Sequence, residues 1–232
     1  MNPLTFHFTW LGGVGSSGVA LYDSIGLPYS ASGAGPGPRT GMLCAFWSGT
    51  MILFGGMNPQ FKNDVWHYSY DSDTWRWMHG SSGGSSVAGA MASYGTLGVP
   101  SALALPFPRE GAAGAMDSLG RFWIHGGNGY SSTDAFMNFN DLWYYTVESN
   151  QFCWMAGGSS QVAVSASLLS LQYGLPASDR NSFSRSYHAA SIDSRAGKFY
   201  VFGGQNTEFD HSGLRDLWSY DLASKMWSWI GQ

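Results

Sequence analysis

One serine- and glycine-rich stretch of this 232-residue sequence could support covalent chemistry, namely Gly80-Ser81-Ser82-Gly83-Gly84. It matches Gly-x-Ser-x-Gly, the pattern in which an exposed serine between a strand and a helix attacks a carbonyl carbon. That reaction also needs an acidic residue and a histidine later in the chain. Here the pattern lies within glycine and serine, and Gly15-Ser16-Ser17-Gly18 and Gly158-Ser159-Ser160 are similar stretches. The sequence therefore predicts linkers at these places, and we assign no catalytic residue.

Support for a metal site in the sequence is as weak as support for a catalytic serine. The six histidines show no His-x₃-His spacing and no accompanying cysteine pair; they are His7, His67, His79, His125, His188 and His211. Asp71-Ser72-Asp73-Thr74 begins like a calcium loop but lacks the glycine at position 6 and the glutamate at position 12. We interpret it as a hairpin turn, and the sequence predicts no metal and no cofactor.

The composition favours short β-strands joined by tight turns. Aromatic residues make up 16% of the chain, charged residues make up 11%, and there are 32 glycines. Aromatic side chains suit a pleated, half-buried surface, and glycine suits turns. Cys44 and Cys153 are expected to pack as small apolar residues within strands, although a disulfide between them is an alternative.

Charge and hydropathy exclude two classes of partner. The net charge is −4 and no run of basic residues occurs, so binding to a nucleic-acid backbone is not expected. No apolar stretch approaches the ~20 residues of a membrane helix, so we expect no membrane insertion. The first residues also lack the basic and apolar parts of a signal peptide. The compartment stays open between cytoplasmic and extracellular or cell-surface.

A repeated cassette carries most of the information in the sequence. Each copy has an apolar strand ending in Gly-Gly, then an Asp-(Leu/Val)-Trp strand, then a strand with a last tryptophan. Its landmark residues are Gly55, Gly56, Trp66 and Trp77; Gly126, Gly127, Trp143 and Trp154; and Gly203, Gly204, Trp218 and Trp229. A unit this short cannot bury its apolar face alone and must stack on its neighbours.

Each copy has room for four strands. The first follows an arginine, namely Arg39, Arg109 or Arg185, and the second runs into the glycine pair. The third carries Asp-(Leu/Val)-Trp and the fourth carries the last tryptophans. Four short antiparallel strands with glycine-marked turns form one blade of a propeller. We expect the glycine pairs to need a positive φ, because the backbone approaches a neighbouring blade there. We expect the aspartates to accept hydrogen bonds from turn N–H groups.

With these landmarks over residues 38–80, 108–157 and 185–231, the chain resembles kelch-repeat proteins, including the galactose oxidase central domain. The resemblance implies an all-β, kelch-type β-propeller of about three four-stranded blades. The copies recur every ~75 residues instead of the usual ~50, because long glycine- and serine-rich linkers separate them. No residue here maps onto the copper site of galactose oxidase, so no residue role is carried over from it.

The resemblance also fixes the expected domain boundaries. Residues 12–80, 81–157 and 158–232 are each predicted to be one blade with its linker, and residues 1–11 the trailing strand of a preceding blade. Closed propellers have about 4–8 blades, so three are too few. We favour a segment of a larger propeller. The alternative is a ring closed by two copies, in which the predicted strand at residues 5–11 would be surplus.

In several kelch propellers that resemble this chain, arginines at the head of the first strand bind acidic motifs of partners. This implies Arg39, Arg109 and Arg185 as candidate binding residues, with Tyr187 and His188 beside the last. The interpretation that we favour over ligand binding is that each arginine pairs with a nearby acid, or holds the turn, for structural reasons. The linker residues Tyr22, Tyr94 and Tyr173 could stack on a glycan, or each could fix its linker to its own blade.

The expected function is that of a non-enzymatic interaction scaffold within a larger protein. Its partner would be a protein, with a glycan as a second choice. The alternative is part of a carbohydrate-active or carbohydrate-binding propeller, either mutarotase-like or oxidase-like. That reading needs polar residues found in one copy only, such as His125 or His188 with a carboxylate, clustered at the ring axis.

Overall fold

The computed structural model describes residues 22, 24–26, 35–83, 92–132, 135–158, 174–176, 181–206 and 213–231. Within these residues there is no helix, and hence none that could span a membrane. The predicted strand at residues 5–11 and the linker residue Tyr173 lie outside them.

Fourteen strands form the described structure. They are β1 (Leu43–Trp47), β2 (Thr50–Met57), β3 (Phe61–Ser69), β4 (Thr74–His79), β5 (Ala113–Met116), β6 (Arg121–His125), β7 (Asn128–Tyr130), β8 (Phe136–Asn138), β9 (Leu142–Thr146), β10 (Gln151–Ala156), β11 (Ala189–Asp193), β12 (Lys198–Phe202), β13 (Leu217–Asp221) and β14 (Met226–Gly231).

The strands make three sheets of four antiparallel strands, one from each copy of the cassette. We call them blade 1 (β1-β2-β3-β4), blade 2 (β5-β6-β9-β10) and blade 3 (β11-β12-β13-β14), in their spatial order. Each blade is a meander in which every strand pairs with the next strand of its sheet. The predicted all-β fold with four-stranded blades is confirmed. The turn between β3 and β4 begins at Tyr70 and includes Asp71, as predicted for a hairpin.

Blade 2 contains an element that the sequence analysis did not predict. Strands β7 and β8 form a separate two-stranded hairpin between β6 and β9. Phe139, directly after β8, stacks on Phe107 with ring centroids 5.8 Å apart. The hairpin therefore adds a small third core to the edge of blade 2.

The cores lie between the blades, where the apolar faces of neighbouring sheets meet. Ile52 and Phe54 of blade 1 pack with Phe122, Ile124 and other residues of blade 2. A second cluster joins blade 2 to blade 3 in the same way. Because the sheets bury large aromatic side chains against each other, the two main cores are shared between neighbouring blades.

The glycine pairs adopt the conformation that the sequence predicted. Gly55 and Gly56 have φ of 65° and 96°, in the left-handed region that favours glycine. A Cβ on Gly55 would lie 2.8 Å from the backbone oxygen of Arg109 in blade 2. The N–H of Gly56 donates to that oxygen at 2.8 Å. The pair thus lies near the end of the second strand, directly against the backbone of the next blade.

Candidate functional site

The heads of the first strands lie side by side, because each blade hydrogen bonds to the next at this point. The N–H of Gly111 donates to the oxygen of Gly41, and the N–H of Tyr187 donates to the oxygen of Gly111, at 2.9 and 2.7 Å. This arrangement collects the candidate residues of three distant sequence segments in one region. We call the region the strand-head corner, defined by residues 39–41, 109–111 and 185–188.

The three candidate arginines belong to the strand-head corner, and each forms an ion pair with the aspartate of its own blade. Arg109 lies 2.5 and 2.8 Å from the two carboxylate oxygens of Asp141. Arg185 contacts both oxygens of Asp216 at 2.9 and 2.7 Å. Both guanidinium groups are completely buried. Arg39 pairs with Asp64 at 2.7 Å in blade 1.

Each guanidinium also donates to backbone carbonyls that close the corner. Arg109 Nε donates to the oxygen of Phe107 and Arg109 Nη1 donates to the oxygen of Gly126, both at 2.9 Å. Arg185 repeats both bonds with Phe183 and Gly203. A planar guanidinium has five N–H donors, so it can bind the aspartate carboxylate and the backbone carbonyls at the same time. In blades 2 and 3 the arginine therefore ties the first strand to the second strand and to the third.

The aspartates receive side-chain donors and not the turn N–H groups that the sequence analysis predicted. Asp141 accepts hydrogen bonds from Trp143 Nε1 at 2.7 Å and from the Tyr94 hydroxyl at 2.6 Å, besides the arginine. Asp64 likewise accepts from Trp66 Nε1 and from the Tyr22 hydroxyl. The recurrence of aspartate two residues before tryptophan was the available signal for this network.

The linker tyrosines hold their linkers against their own blades, which was one of the two sequence-based readings. The Tyr94 ring packs between Trp143 and Trp154, with centroid distances of 4.9 and 5.1 Å. Tyr22 contacts Trp66 and Trp77 in the equivalent way. Burial, and next the nearby aspartate, raises the pKa of each hydroxyl well above its ordinary value. Both rings are in tilted or edge-on contact with the tryptophans of their own blade.

The corner of blade 3 differs from the other two at Tyr187. Blades 1 and 2 have Gly41 and Gly111 at this position, with φ of 61° and 63°, and Tyr187 keeps the same conformation with φ of 54°. A left-handed backbone is unfavourable for a bulky residue. The Tyr187 ring lies over Gly111 and the residue is 53% exposed. Partial burial, and next a hydrogen bond to the Glu110 carboxylate, raises its pKa to about 12.

Two histidines meet at the junction of blades 2 and 3. His125 Nδ1 and His188 Nε2 are 2.9 Å apart, and His125 Nε2 lies 2.7 Å from Ser182 Oγ. Burial is the main cause that holds the pKa of both rings well below 6.5, and the charge of Arg185 adds to it. The pair is therefore neutral. Its hydrogen-bond partner in the described structure is Ser182 and not a carboxylate.

No group of three or more His, Cys, Asp or Glu side chains in the described residues is arranged to hold a metal ion. Cys44 and Cys153 are both free thiols, the first exposed and the second buried. Sequence reasoning did not identify two residues of this region, namely Glu110, which contacts Tyr187 in the corner, and Ser182, which contacts His125. Neither recurs in the other copies, so the repeat pattern gave no signal for them.

Comparison with known proteins agrees with this geometry. The Kelch motif matches residues 38–76, which are blade 1 without the end of β4. The solved structure described as "Structure of YjhT" is similar over 85% of this chain and 52% of that chain, with 17% sequence identity and a TM-score of 0.53. The chain has the fold of a kelch-repeat β-propeller.

This chain spans about half the length of the YjhT structure that it matches. No curated protein has a sequence that matches it. At 17% identity the likeness establishes the fold. The function is therefore argued from the corner residues themselves.

Proposed function

We propose that this kelch-repeat chain is a non-enzymatic scaffold that binds a protein partner at the strand-head corner, with Tyr187 as the main contact residue. Kelch repeats commonly mediate protein–protein interaction. The observation that carries the proposal is the exposed tyrosine at a position where two sibling blades have glycine. Strained backbone conformations of this kind persist where function or the surrounding structure requires them.

The non-enzymatic part of the proposal is supported by how the polar residues are used. The arginine, aspartate and tryptophan bond to one another in all three blades, and the linker tyrosine joins them in blades 1 and 2. Polar side chains that recur at equivalent positions of the blades stabilise the fold. The His125–His188 pair is found once, but it is buried between two blades and lacks an acidic partner among the described residues.

The chemistry of the partner follows from the groups that stay accessible. Recognition of an acidic motif by the arginines would require the Arg–Asp pairs to open, since both side chains of Arg109 and Asp141 are buried. Tyr187 instead offers an aromatic face, and Glu110 beside it offers a carboxylate. Tyrosine is enriched at interfaces because it combines apolar area with a polar end. We therefore propose a partner that presents an apolar or cationic side chain to this pair.

The test is affinity capture with the whole chain immobilised, comparing the wild type with Tyr187→Asn. Asparagine tolerates the left-handed conformation, so the backbone of the corner is kept. We expect the variant to lose at least one protein that the wild type retains from a lysate of its own organism. Tyr70→Asn is the matched control, because Tyr70 is 67% exposed on the β3–β4 turn, away from the corner. Identical retention by all three proteins would refute the proposal.

A further inference from the structure

The charges of the strand-head corner are balanced except at one residue. The three arginines each form an ion pair with the aspartate of their own blade. Glu110 forms no ion pair with any residue that the structure describes. Its carboxylate receives two neutral donors, the Tyr187 hydroxyl and the Thr40 hydroxyl, the latter at 3.4 Å. Since an ionised carboxylate has about four acceptor positions, part of its capacity is unused.

The carboxylate of Glu110 is a feature of blade 2. Thr40 and Ser186 occupy the equivalent positions after the arginines of blades 1 and 3. The Glu110 side chain lies over blade 1, because a Cβ on Gly41 would be 2.9 Å from Glu110 Oε2. The Tyr187 ring of blade 3 lies over the matching glycine of blade 2. The carboxylate and the ring therefore meet at the surface of the corner, and the repeat does not account for their pairing.

A row of polar side chains continues from Glu110 into the β7–β8 hairpin. Glu110 and Asn128 exchange two backbone hydrogen bonds, at 3.0 and 2.9 Å, and Asn128 is paired in turn with Asn138. Residues directly opposite each other in antiparallel strands have their side chains on the same face. The three side chains therefore share one face, at the place where blade 1 has Thr40, Met57 and Phe61.

The two asparagines of this row lack hydrogen-bond donors. Both Oδ1 atoms are buried without a partner in the described part of the chain. Leaving a buried acceptor without a donor is unfavourable. Asn138 is 0% exposed, whereas Asn128 is 8% exposed and is the neighbour of Glu110. Because the last torsion of asparagine is broad, rotation of the Asn128 carboxamide can turn Oδ1 toward the surface. The corner thus presents a carboxylate and an amide oxygen that both have room for donors.

These acceptors favour a guanidinium over an ammonium. An ammonium is a compact point charge, whereas a guanidinium is planar and has five N–H donors. Two of its N–H groups can bind the Glu110 carboxylate while a third reaches Asn128, whose Cβ is about 5 Å from that of the residue opposite. The flat face of the same group can stack on the ring of Tyr187. One arginine side chain therefore matches all three groups.

We propose that the partner inserts an arginine side chain between Tyr187 and Glu110, with Asn128 as a further acceptor. This assignment rests on the proposed function, since it names the partner residue that the strand-head corner binds. The guanidinium supplies the counter-charge that Glu110 lacks and the donor that Asn128 Oδ1 lacks. Tyr187 is 53% exposed, so its ring is accessible to such a side chain. The corner thus recognises a basic segment of the partner and not an acidic motif.

The test begins with a library of random peptides displayed on phage and panned on the immobilised 232-residue chain. Dissolved Tyr187→Asn is present in excess, so that the immobilised chain retains only peptides whose binding needs Tyr187. We expect the retained peptides to share an arginine. The Kd of an enriched peptide is then measured by fluorescence anisotropy, beside versions with lysine or citrulline in place of the arginine. Citrulline keeps the shape of arginine but has no charge.

We expect the citrulline peptide to bind roughly tenfold more weakly, or worse, because a close charge pair is broken. Glu110→Gln should weaken binding of the arginine peptide by a similar factor. The two changes together should do little more than either alone, since both remove the same contact. Lysine should also weaken binding, because one ammonium does not match both acceptors. Glu148→Gln is the matched control, since it removes the same charge from the exposed turn between β9 and β10.

Asn128→Met tests the additional acceptor. Met57 has the equivalent position in blade 1, so methionine suits the backbone at this place. We expect weaker peptide binding with a melting temperature that is not lowered, because the variant removes an acceptor that has no partner. Circular dichroism checks that each variant is folded. Peptide binding equal to that of the wild type would overturn the role of Asn128.

The outcomes separate this inference from the proposed function. The arginine assignment is overturned by retained peptides that lack arginine, by equal binding of the lysine peptide, or by independent losses from citrulline and Glu110→Gln. In these cases Tyr187 remains a contact residue. If no peptide survives the competition with Tyr187→Asn, the binding role of Tyr187 is refuted together with the arginine assignment.

Discussion

Arg109 and Asp141 form a two-point ion pair inside blade 2, in which both side chains are completely buried. The same carboxylate accepts hydrogen bonds from Trp143 and from Tyr94 of the preceding linker, at 2.7 and 2.6 Å. One aspartate thus connects the first strand, the third strand and the linker. Removing two charges from water is costly, and this set of bonds is what offsets that cost.

We expect Asp141→Asn to lower the free energy of unfolding by about 3–5 kcal/mol, because it leaves the Arg109 guanidinium buried without a counter-charge. Urea denaturation followed by tryptophan fluorescence measures the change. Lys198→Ala is the control, since it removes an ion pair with Asp221 that is partly exposed and 3.5 Å long. Such pairs contribute about 0–1 kcal/mol. A loss at Asp141 no larger than at Lys198 would contradict the central role of the carboxylate.

The contact of Tyr94 with Asp141 gives a separate prediction about the linker. Tyr94→Phe keeps the ring between Trp143 and Trp154 but removes the hydroxyl that donates at 2.6 Å. Hydrogen bonds to charged groups contribute about 1.5–3 kcal/mol, so the stability should fall by about that amount. The linker at residues 92–105 should also exchange its amide hydrogens faster, as measured by mass spectrometry.

Tyr70→Phe serves as the matched control for Tyr94→Phe, because its ring is largely exposed. It should change neither stability nor exchange. If the two variants exchange equally in residues 92–105, the hydroxyl does not hold the linker.

Much of the fold could be predicted from the sequence because the same chemistry recurs three times. The glycine pairs and the tryptophans indicated where the strands lie, because each residue type suits its position in the fold. Gly55, for example, lies so close to the Arg109 backbone oxygen that a Cβ would collide with it. The sequence favoured a pairing of each arginine with a nearby acid, but it did not identify which acid. Sequence spacing of 25 to 32 residues between the partners does not show which strands become neighbours.

Features found in a single copy could not be predicted from the repeat. The β7–β8 hairpin has three paired positions where blade 1 has the single equivalent pair Met57 and Phe61, and the Ser182–His125–His188 cluster joins residues from a linker and two blades. Such contacts arise only when neighbouring sheets stack. They depend on tertiary packing and leave no periodic trace in the sequence.

The histidine pair predicts how stability depends on pH. The pKa of His125 and that of His188 are held well below 6.5 by burial between blades, and the positive charges of Arg185 and Arg109 add to this at His125. In the unfolded chain both rings have the ordinary pKa, so below pH ~6.5 the unfolded state binds more protons than the folded one. Stability is therefore present in full above that range and is lost as the pH falls.

We expect each of the two rings to lower the free energy of unfolding by about 1.4 kcal/mol for every pH unit below ~6.5, while it stays neutral in the folded chain. Urea denaturation at a series of pH values between neutral and mildly acidic measures this slope. His188→Asn should reduce the slope by the share of one ring. Part of the slope should remain in this variant, because burial also lowers the pKa of His67, to about 4. An unchanged slope in His188→Asn would mean that His188 is already protonated in the folded chain, contrary to the neutral pair.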